Sequence, residues 1–325
     1  MHAWLCTTLD GVDALHWTEL PTPEPKPGEV RIAIHAASLN FPDLLTVQGK
    51  YQVKPPLPFV PGSEFAGTVE AVGEGVRHLK PGAPVAAIGS SGGFGTHAIV
   101  KAQNVLPLPP RFVLTDAAAF AFTYGTSHHA LIDRAQLKAG ETVLVLGAAG
   151  GVGTAALQIA KAAGARVIAA ASTDAKCKRC RELGADATLN YSTENIRDAL
   201  KALTDGKGPD VVYDPVGGDL AEPAFRSIAW RGRYLVVGFA GGGIPALPFN
   251  LALLKGASVV GVFWGDFVRR EPQANAAALV QLAQWYGQGL VKPVIDSTLP
   301  MSELKTAYAR MGTRQVRGKL LLVNA

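Results

Sequence analysis

A strand, a glycine-rich turn and a small-residue helix follow one another in residues 142–171, and this order restricts the fold more than any other segment does. The letters read TVLVLGAAGGVGTAALQIAKAAGARVIAAA. Ala148-x-Gly150-x-x-Gly153 is a relaxed form of the dinucleotide-binding fingerprint. Gly150 allows the backbone to approach a pyrophosphate, Gly153 allows the helix to pack closely on the strand, and the helix N-terminus offers unpaired N–H groups. The alternative is a tight turn with only a structural role.

Further apolar runs continue this alternation of strand and helix. Short apolar strands separated by helical patterns predict a parallel sheet covered on both faces, with right-handed crossovers. The predicted strands are Thr142–Leu146, Arg166–Ala170, Ala187–Leu189, Val211–Tyr213, Tyr234–Val237 and Ser258–Val262. Residues before about 116 are rich in Gly and Pro, and their short strand-like runs predict a β-rich domain. The fold class is therefore α/β, with a doubly wound sheet beside a β-rich domain.

Length, charge and cysteine content limit the function further. A chain of 325 residues exceeds the usual size of one hydrophobic core, so two domains are expected. The formal charge of +5 comes from dispersed Lys and Arg, which argues against nucleic-acid binding in the absence of a recognisable module. Three cysteines do not form a disulfide framework, and neither a signal peptide nor a membrane span is indicated. We therefore expect a cytoplasmic protein.

Ser172 and Thr173 stand where an NAD-specific domain usually carries an acidic residue that binds the adenosine ribose. Lys176 follows shortly after them. A carboxylate would repel a ribose phosphate, whereas a hydroxyl and an ammonium would bind it, so NADPH is favoured over NADH. The alternative for Lys176 is an ordinary solvated helix residue.

Segments along the whole chain carry a family resemblance. In order they read PTPEPKPGEVRIAIHAASLNFPDLL, the glycine turn with its helix, RELGADATLNYS, DVVYDPVGGD, PFNLALLKGASVVGVFWG and VRGKLLLV. With them the chain resembles the zinc-independent quinone oxidoreductase branch of the medium-chain dehydrogenase/reductase superfamily. The resemblance implies a GroES-like catalytic domain over residues 1–120, a Rossmann domain over 121–265, and a segment 266–325 that returns to the first domain. It also implies homodimers or homotetramers.

The metal ligands of zinc-containing relatives have no counterpart here. The segments that match the ligand positions read SLNFPDLL and PGSEFAG, with no Cys in the first and Ser63 in place of His in the second. The chain's cysteines are Cys6, Cys177 and Cys180, which are too few for either zinc site. We therefore expect no metal. The spacing Cys177-x-x-Cys180 is interpreted as incidental, and the pair His128-His129 as helix packing or surface.

The resemblance assigns cofactor contacts along the Rossmann domain. Gly150, Gly151 and Val152 match the pyrophosphate site, while Ser172, Lys176 and Tyr191 match the adenosine phosphate site. Tyr191 has a core aromatic as its alternative role. On the nicotinamide side the candidates are Thr126, Phe239, Ala240, Phe263 and Trp264, and Val216 is a further candidate cofactor contact. For Phe263 and Trp264 the alternative is packing at a domain interface.

Asn40 and Tyr51 match cleft-lining positions of the catalytic domain in relatives. Their polar groups suit the orientation of a carbonyl or a water molecule. Asn40 has capping of a turn as its alternative, and Tyr51 has shielding of the cofactor. An ordinary tyrosine, with a pKa near 10, is a poor general acid at neutral pH unless its surroundings lower that pKa.

These features favour an NADPH-dependent reductase of quinones or α,β-unsaturated carbonyls. The protein has to align nicotinamide C4 with an electron-poor carbon and exclude water, and such an acceptor needs no metal. An unactivated ketone or an alcohol would require zinc or a proton relay. The alternatives are a reductase of enoyl thioesters such as acryloyl-CoA and a non-catalytic NADPH-binding protein.

Overall fold

In the computed structural model, which describes residues 1–89 and 91–324, the chain folds into two units. The first comprises Met1–Phe122 with Ile295–Ala325, and the second comprises Thr123–Val294. The strands are β1 (His2–Cys6), β2 (Leu15–Glu19), β3 (Glu29–Ser38), β4 (Glu64–Val72), β5 (Pro84–Ile88), β6 (His97–Lys101), β7 (Val105–Pro107), β8 (Thr142–Val145), β9 (Arg166–Ala171), β10 (Ala187–Asn190), β11 (Val211–Asp214), β12 (Arg233–Val236), β13 (Ser258–Gly261), β14 (Ile295–Pro300) and β15 (Lys319–Val323). The helices are α1 (Phe41–Val47), α2 (Leu114–Ala117), α3 (Ala121–His128), α4 (Gly151–Ala162), α5 (Asp174–Glu182), α6 (Ile196–Leu203), α7 (Ala221–Arg226), α8 (Asn250–Lys255), α9 (Trp264–Arg270), α10 (Pro272–Gly287) and α11 (Leu304–Gly312).

The first unit is built on a mostly antiparallel sheet. Its strand order is β14-β15-β3-β4-β5-β7, with β6 paired to β3 and a separate hairpin of β1 and β2. Alternate side chains of β3 point into a core that includes Val30, Ile32, Phe65, Phe94 and Leu320. This alternation is the period expected of a strand with one buried face, and it confirms the predicted β-rich domain.

The second unit contains the predicted parallel sheet. Its order is β10-β9-β8-β11-β12-β13, and every neighbouring pair is parallel. The strand bounds agree with the predicted ones to within one residue. Val143, Leu144 and Val145 are fully buried, as expected of a central strand covered by helices on both faces. The predicted fold class is confirmed.

The expected boundary after residue 265 differs from the observed one, which lies at Ile295. Helices α9 and α10 pack within the second unit, because the ring of Phe267 stacks on His129 at 4.0 Å and Gln281 Oε1 lies 2.7 Å from His128 Nε2. Both histidines are buried, as the packing interpretation predicted. Only the part of the chain from β14 onward, including α11, returns to the first unit.

Two further expectations concern membranes and thiols. Across residues 1–89 and 91–324, no helix combines the length and the apolar character needed to cross a bilayer. Cys6, Cys177 and Cys180 are buried free thiols, and burial raises the pKa of the Cys180 thiol to about 12. A thiol with such a pKa is unreactive at neutral pH, in line with the incidental interpretation of the Cys-x-x-Cys spacing.

Candidate cofactor and active site

The glycine turn joins β8 to α4 in the way the fingerprint predicts. Gly147 has a φ of +60°, which favours glycine, and a Cβ on Gly153 would lie only 2.3 Å from Gly147 O. Gly153 therefore has to lack a side chain for the helix to sit on the turn. Gly150 is the N-cap of α4, and the N–H groups of Gly151 and Val152 lie in the first turn, where they have no partner within the helix. Such a terminus suits an anionic group.

Ser172, Lys176 and Tyr191 come together at the carboxyl end of β9. Lys176 Nζ lies 3.3 Å from Ser172 Oγ, and Thr173 caps the first turn of α5 by accepting a hydrogen bond from Lys176 N. Tyr191 N donates to Ala171 O at 3.1 Å, which fixes the half-buried tyrosine beside the same strand end. Tyr191 also packs against the hydrophobic core of the second unit, so its ring has the core role that was its alternative.

Asp214, the last residue of β11, joins the turn that follows β11 to strand β12. Its Oδ1 accepts hydrogen bonds from Val216 N and Gly217 N at 2.8 Å each, and its Oδ2 accepts one from Tyr234 Oη at 2.5 Å. Ala240 N donates to Pro215 O, so the turns that follow β11 and β12 lie side by side at the carboxyl edge of the sheet. In open α/β sheets, ligands bind at this edge.

The candidates for the nicotinamide side differ in the exposed fraction of their side chains. Phe239 is half-buried, while Phe263 is 51% exposed. Trp264 is 5% exposed and its ring lies against Gly125 of α3, the helix that also carries the buried Thr126. Trp264 thus packs on α3, whereas Phe263 offers a free aromatic face.

Asn40, Glu64 and Lys319 form a buried polar cluster in the first unit. Lys319 Nζ donates to Asn40 Oδ1 at 2.6 Å and lies 3.4 Å from Glu64 Oε2. Burial lowers the pKa of the Lys319 ammonium, while the charges of Glu64 and Asp43 oppose that change. Glu64 accepts further hydrogen bonds from Ser38 Oγ, Asn40 Nδ2 and Phe122 N. Both polar atoms of the Asn40 amide are therefore engaged within the unit.

Asn40 is also the N-cap of α1, the alternative foreseen for it, and Asp43 lies three residues on. Asp43 Oδ2 accepts a hydrogen bond from Asn40 N at 2.8 Å. Burial raises the pKa of the Asp43 carboxyl to about 6, although the hydrogen bond from the Asn40 backbone N–H and the charge of Lys319 act in the opposite direction. Tyr51 is half-buried, and burial together with the charge of Asp43 raises the pKa of its hydroxyl. The surroundings thus make Tyr51 a weaker acid than usual.

Four residues of these sites were not identified from the sequence. Gly147 lies in the turn outside the fingerprint positions, and Asp43 follows Asn40 at the spacing of a capping box. Glu64 lies in the segment PGSEFAG, where no motif indicates its role. Lys319 had one signal, which is a lone charge at the start of the apolar run KLLLV. A buried charge requires a partner, but nothing in the sequence says which.

Two family models match the chain. The alcohol dehydrogenase GroES-like domain matches residues 26–110, and the zinc-binding dehydrogenase model matches residues 151–284. The donors in the first unit do not fit zinc, because the Lys319 ammonium already neutralises Glu64 and engages Asn40 Oδ1. In the part of the chain that the structure describes, no three His, Cys, Asp or Glu side chains are grouped so that they could hold a metal ion.

Similar proteins cover essentially the whole chain. Quinone oxidoreductase-like protein 2 of Rattus norvegicus is 37% identical over 98% of this chain and 96% of its own length. A probable oxidoreductase from Mycobacterium abscessus is 38% identical, with a TM-score of 0.90 over 100% of this chain and 99% of that one. The quinone oxidoreductase of Thermus thermophilus, whose structure was also solved in complex with NADPH, is 33% identical, with a TM-score of 0.86 over 100% of both chains. The chain therefore belongs to the quinone oxidoreductase branch of the medium-chain dehydrogenase/reductase superfamily.

Proposed function

We propose that this protein is an NADPH-dependent reductase that adds hydride to a quinone or an α,β-unsaturated carbonyl without zinc. The observation that carries the proposal is the pair of Lys176 Nζ and Ser172 Oγ, 3.3 Å apart at the end of β9 beside Tyr191. An ammonium and a hydroxyl at this position suit the 2′-phosphate of NADPH. The NADPH complex of the Thermus thermophilus relative supports the same cofactor.

Each part of the cofactor has its own set of residues in the second unit. The first turn of α4 would hold the pyrophosphate through the N–H groups of Gly151 and Val152, with Gly150 leaving room for it. Ser172, Lys176 and Tyr191 would hold the adenosine phosphate. The nicotinamide side would be lined by Thr126, Phe239, Ala240 and Phe263, with Val216 as a further cofactor contact, whereas Trp264 packs against Gly125. When bound, the reduced nicotinamide supplies a hydride.

The residues of the first unit would orient the acceptor and control its protons. An electron-poor acceptor needs alignment more than it needs a Lewis acid, so the absence of suitable zinc donors among the described residues is compatible with this chemistry. The half-buried hydroxyl of Tyr51 is able to donate a hydrogen bond to a carbonyl oxygen. Asn40, whose amide is engaged by Lys319 and Glu64, would act by holding the start of α1 in place.

The cofactor assignment is tested with Lys176→Ala. Because the substitution removes the ammonium, we expect the dissociation constant for NADPH to rise roughly tenfold or more, while that for NADH stays the same. Isothermal titration calorimetry measures both values. Lys178→Ala is the matched control, since Lys178 is an exposed lysine on the same helix. Wild-type protein that binds NADH as tightly as NADPH would contradict the assignment.

The acceptor class is tested by NADPH oxidation in the presence of quinones, simple enones and short enoyl-CoA thioesters. We expect turnover with quinones or enones, because these carbons are already electrophilic. A strong preference for enoyl-CoA would replace the proposal by the thioester reductase. Tight NADPH binding without turnover of any acceptor would indicate a non-catalytic binding protein.

We further propose that the protein is a homodimer in which the β13 edges of two copies pair. Strand β13 lies at the edge of the parallel sheet, and Val259 on it is 50% exposed. The preceding segment adds further exposed apolar side chains, namely Ile244, Phe249, Leu253 and Leu254. An apolar strand edge of this kind is a template for pairing, and a two-fold axis would cover the same surface on both copies.

A further inference from the structure

A chain of buried hydroxyl groups in the second unit reaches the first turn of α4. Ser127 Oγ on α3 lies 3.1 Å from Val152 O and 2.9 Å from Tyr213 Oη of β11. Both hydroxyl-bearing side chains are fully buried. The chain therefore joins α3, a central strand of the parallel sheet and the helix that follows the glycine turn, out of contact with water.

The direction of the two hydrogen bonds follows from what each atom is able to do. Val152 O is a carbonyl oxygen and only accepts, so Ser127 Oγ donates its single proton to it. The lone pairs of Ser127 Oγ then accept a hydrogen bond from Tyr213 Oη. Burial raises the pKa of the Tyr213 hydroxyl, which therefore keeps the proton that it donates.

The carbonyl of Val152 controls the direction of an N–H group at the start of α4. A helix carbonyl accepts one hydrogen bond from the residue four positions later, and its second lone pair is available to Ser127. The C=O of Val152 and the N–H of Gly153 belong to one planar peptide group and point in opposite directions. The first N–H groups of α4, including that of Gly153, have no partner within the helix. A hydrogen bond that holds the carbonyl therefore also aims this N–H at the proposed pyrophosphate position.

A second hydroxyl contact joins the same two helices at a different place. Tyr124 Oη on α3 donates a hydrogen bond to Gln158 Oε1 at 2.8 Å. Gln158 lies in the middle of α4, whereas Val152 lies in its first turn. Of these two contacts, only the one made by Ser127 reaches the end of α4 that would face the cofactor.

We propose that Ser127 and Tyr213 are positioning residues that fix the first turn of α4 for the pyrophosphate of NADPH. The inference rests on the proposed function. Tyr213 acts on Ser127, and Ser127 acts on the peptide group between Val152 and Gly153. The pyrophosphate does not react, so its hydrogen bonds are equally strong in the ground state and the transition state. Loss of the chain should therefore raise KM for NADPH and leave kcat unchanged.

Ser127→Ala and Tyr213→Phe test the inference, because each removes one hydroxyl and little else. Ser127→Ala removes the hydrogen bond to Val152 O, so we expect the dissociation constant for NADPH to rise roughly fivefold. Tyr213→Phe leaves the Ser127 hydroxyl without its donor and free to rotate, and should raise the same constant by roughly twofold. The double variant should match Ser127→Ala, because Tyr213 acts only through Ser127. Should Ser127→Ala fail to fold, Tyr213→Phe decides alone.

The decisive comparison uses 2′-AMP, which carries the adenosine phosphate but has no pyrophosphate. Ser172 and Lys176 would bind 2′-AMP without help from α4, so its dissociation constant should be the same in the wild type and all three variants. Isothermal titration calorimetry measures both ligands. Variants that bind 2′-AMP and NADPH equally weakly would indicate a merely structural role and overturn the inference. Unchanged NADPH affinity, or losses that multiply in the double variant, would also overturn it.

Tyr124→Phe is the matched control. It too removes a buried tyrosine hydroxyl that contributes to the packing of α3, but the lost hydrogen bond goes to Gln158. We expect its dissociation constant and KM for NADPH to equal those of the wild type. A rise in Tyr124→Phe as large as that in Ser127→Ala would show that any loosening of α3 has the same effect, and would overturn the inference.

Steady-state kinetics at saturating acceptor separates the inference from the proposed reaction. In Ser127→Ala, KM for NADPH should rise in proportion to the dissociation constant at unchanged kcat, and a fall in kcat at unchanged KM would overturn the inference. A wild type that binds NADPH but reduces no acceptor would refute the proposed reaction, and the calorimetric comparison would still decide the inference. A wild type that does not bind NADPH would refute both.

Discussion

Lys319 provides the positive charge that a buried glutamate requires in the first unit. Its ammonium lies 3.4 Å from Glu64 Oε2 and 2.6 Å from Asn40 Oδ1, and both partners are buried. A buried pair of this kind contributes little net stability compared with apolar residues, but the loss of one partner leaves an uncompensated charge.

We therefore expect Lys319→Met to lower the free energy of unfolding by about 3 kcal/mol. The combined variant Lys319→Met/Glu64→Gln should recover most of that loss, because the remaining amide carries no charge. Urea unfolding of the three proteins at pH 7 measures the difference. Equal free energies of unfolding for Lys319→Met and the wild type would show that the buried Glu64 does not require the positive charge of Lys319.

Some of these residues were predictable from the sequence and others were not. Ser172 and Lys176 lie four positions apart around a helix start, so local spacing was enough to bring them together. Asn40 and Lys319 are separated by 279 positions and meet only because β15 pairs with β3. That contact depends on the tertiary fold, and no local pattern specifies it. The raised pKa of Tyr51 likewise follows from burial, which a sequence motif does not give.

At the scale of elements, the glycines of the turn between β8 and α4 have separable roles. A Cβ on Gly153 would lie 2.3 Å from Gly147 O, whereas a Cβ on Gly150 would have its closest contact at 3.4 Å. The fold itself therefore excludes a side chain at Gly153. The chain leaves room for a methyl group at Gly150, and only an approaching ligand would compete for that space.

Alanine substitutions should distinguish these two glycines. Gly153→Ala should lower the free energy of unfolding by about 2 kcal/mol, because the added methyl overpacks the turn. Gly150→Ala should unfold like the wild type but bind NADPH at least roughly tenfold more weakly, because the methyl would occupy space needed by the pyrophosphate. Thermal unfolding and calorimetry measure the two effects. A Gly150→Ala variant with unchanged NADPH affinity would contradict the proposed phosphate site.

The strands of the second unit were predictable because each combines a short apolar run with flanking turn signals. The assignment of α9 and α10 was less successful, since their sequences follow the last strand and do not continue the alternation. Their place is determined by contacts with α3 and with the π-helix His129–Arg134 that follows it, such as the stack of Phe267 on His129. Such contacts follow from side-chain packing, which periodicity does not specify.

At the scale of the whole molecule, the proposed dimer depends on one sheet edge. Val259→Lys places a charge on β13 and should convert the dimer to a monomer, because pairing would bury that charge. Sedimentation velocity measures the change. Val113→Lys is the control, since Val113 is 51% exposed and belongs to the first unit. A wild type that sediments as a monomer would refute the pairing.

The order of the strands also determines when each unit can form during synthesis. The second unit is contiguous, so all of its sheet is available once residue 294 has left the ribosome. The sheet of the first unit receives β14 and β15 from residues 295–323, although its other strands precede residue 108. The flank of β3 that receives β15 therefore stays open while all of the nucleotide-binding unit is synthesised.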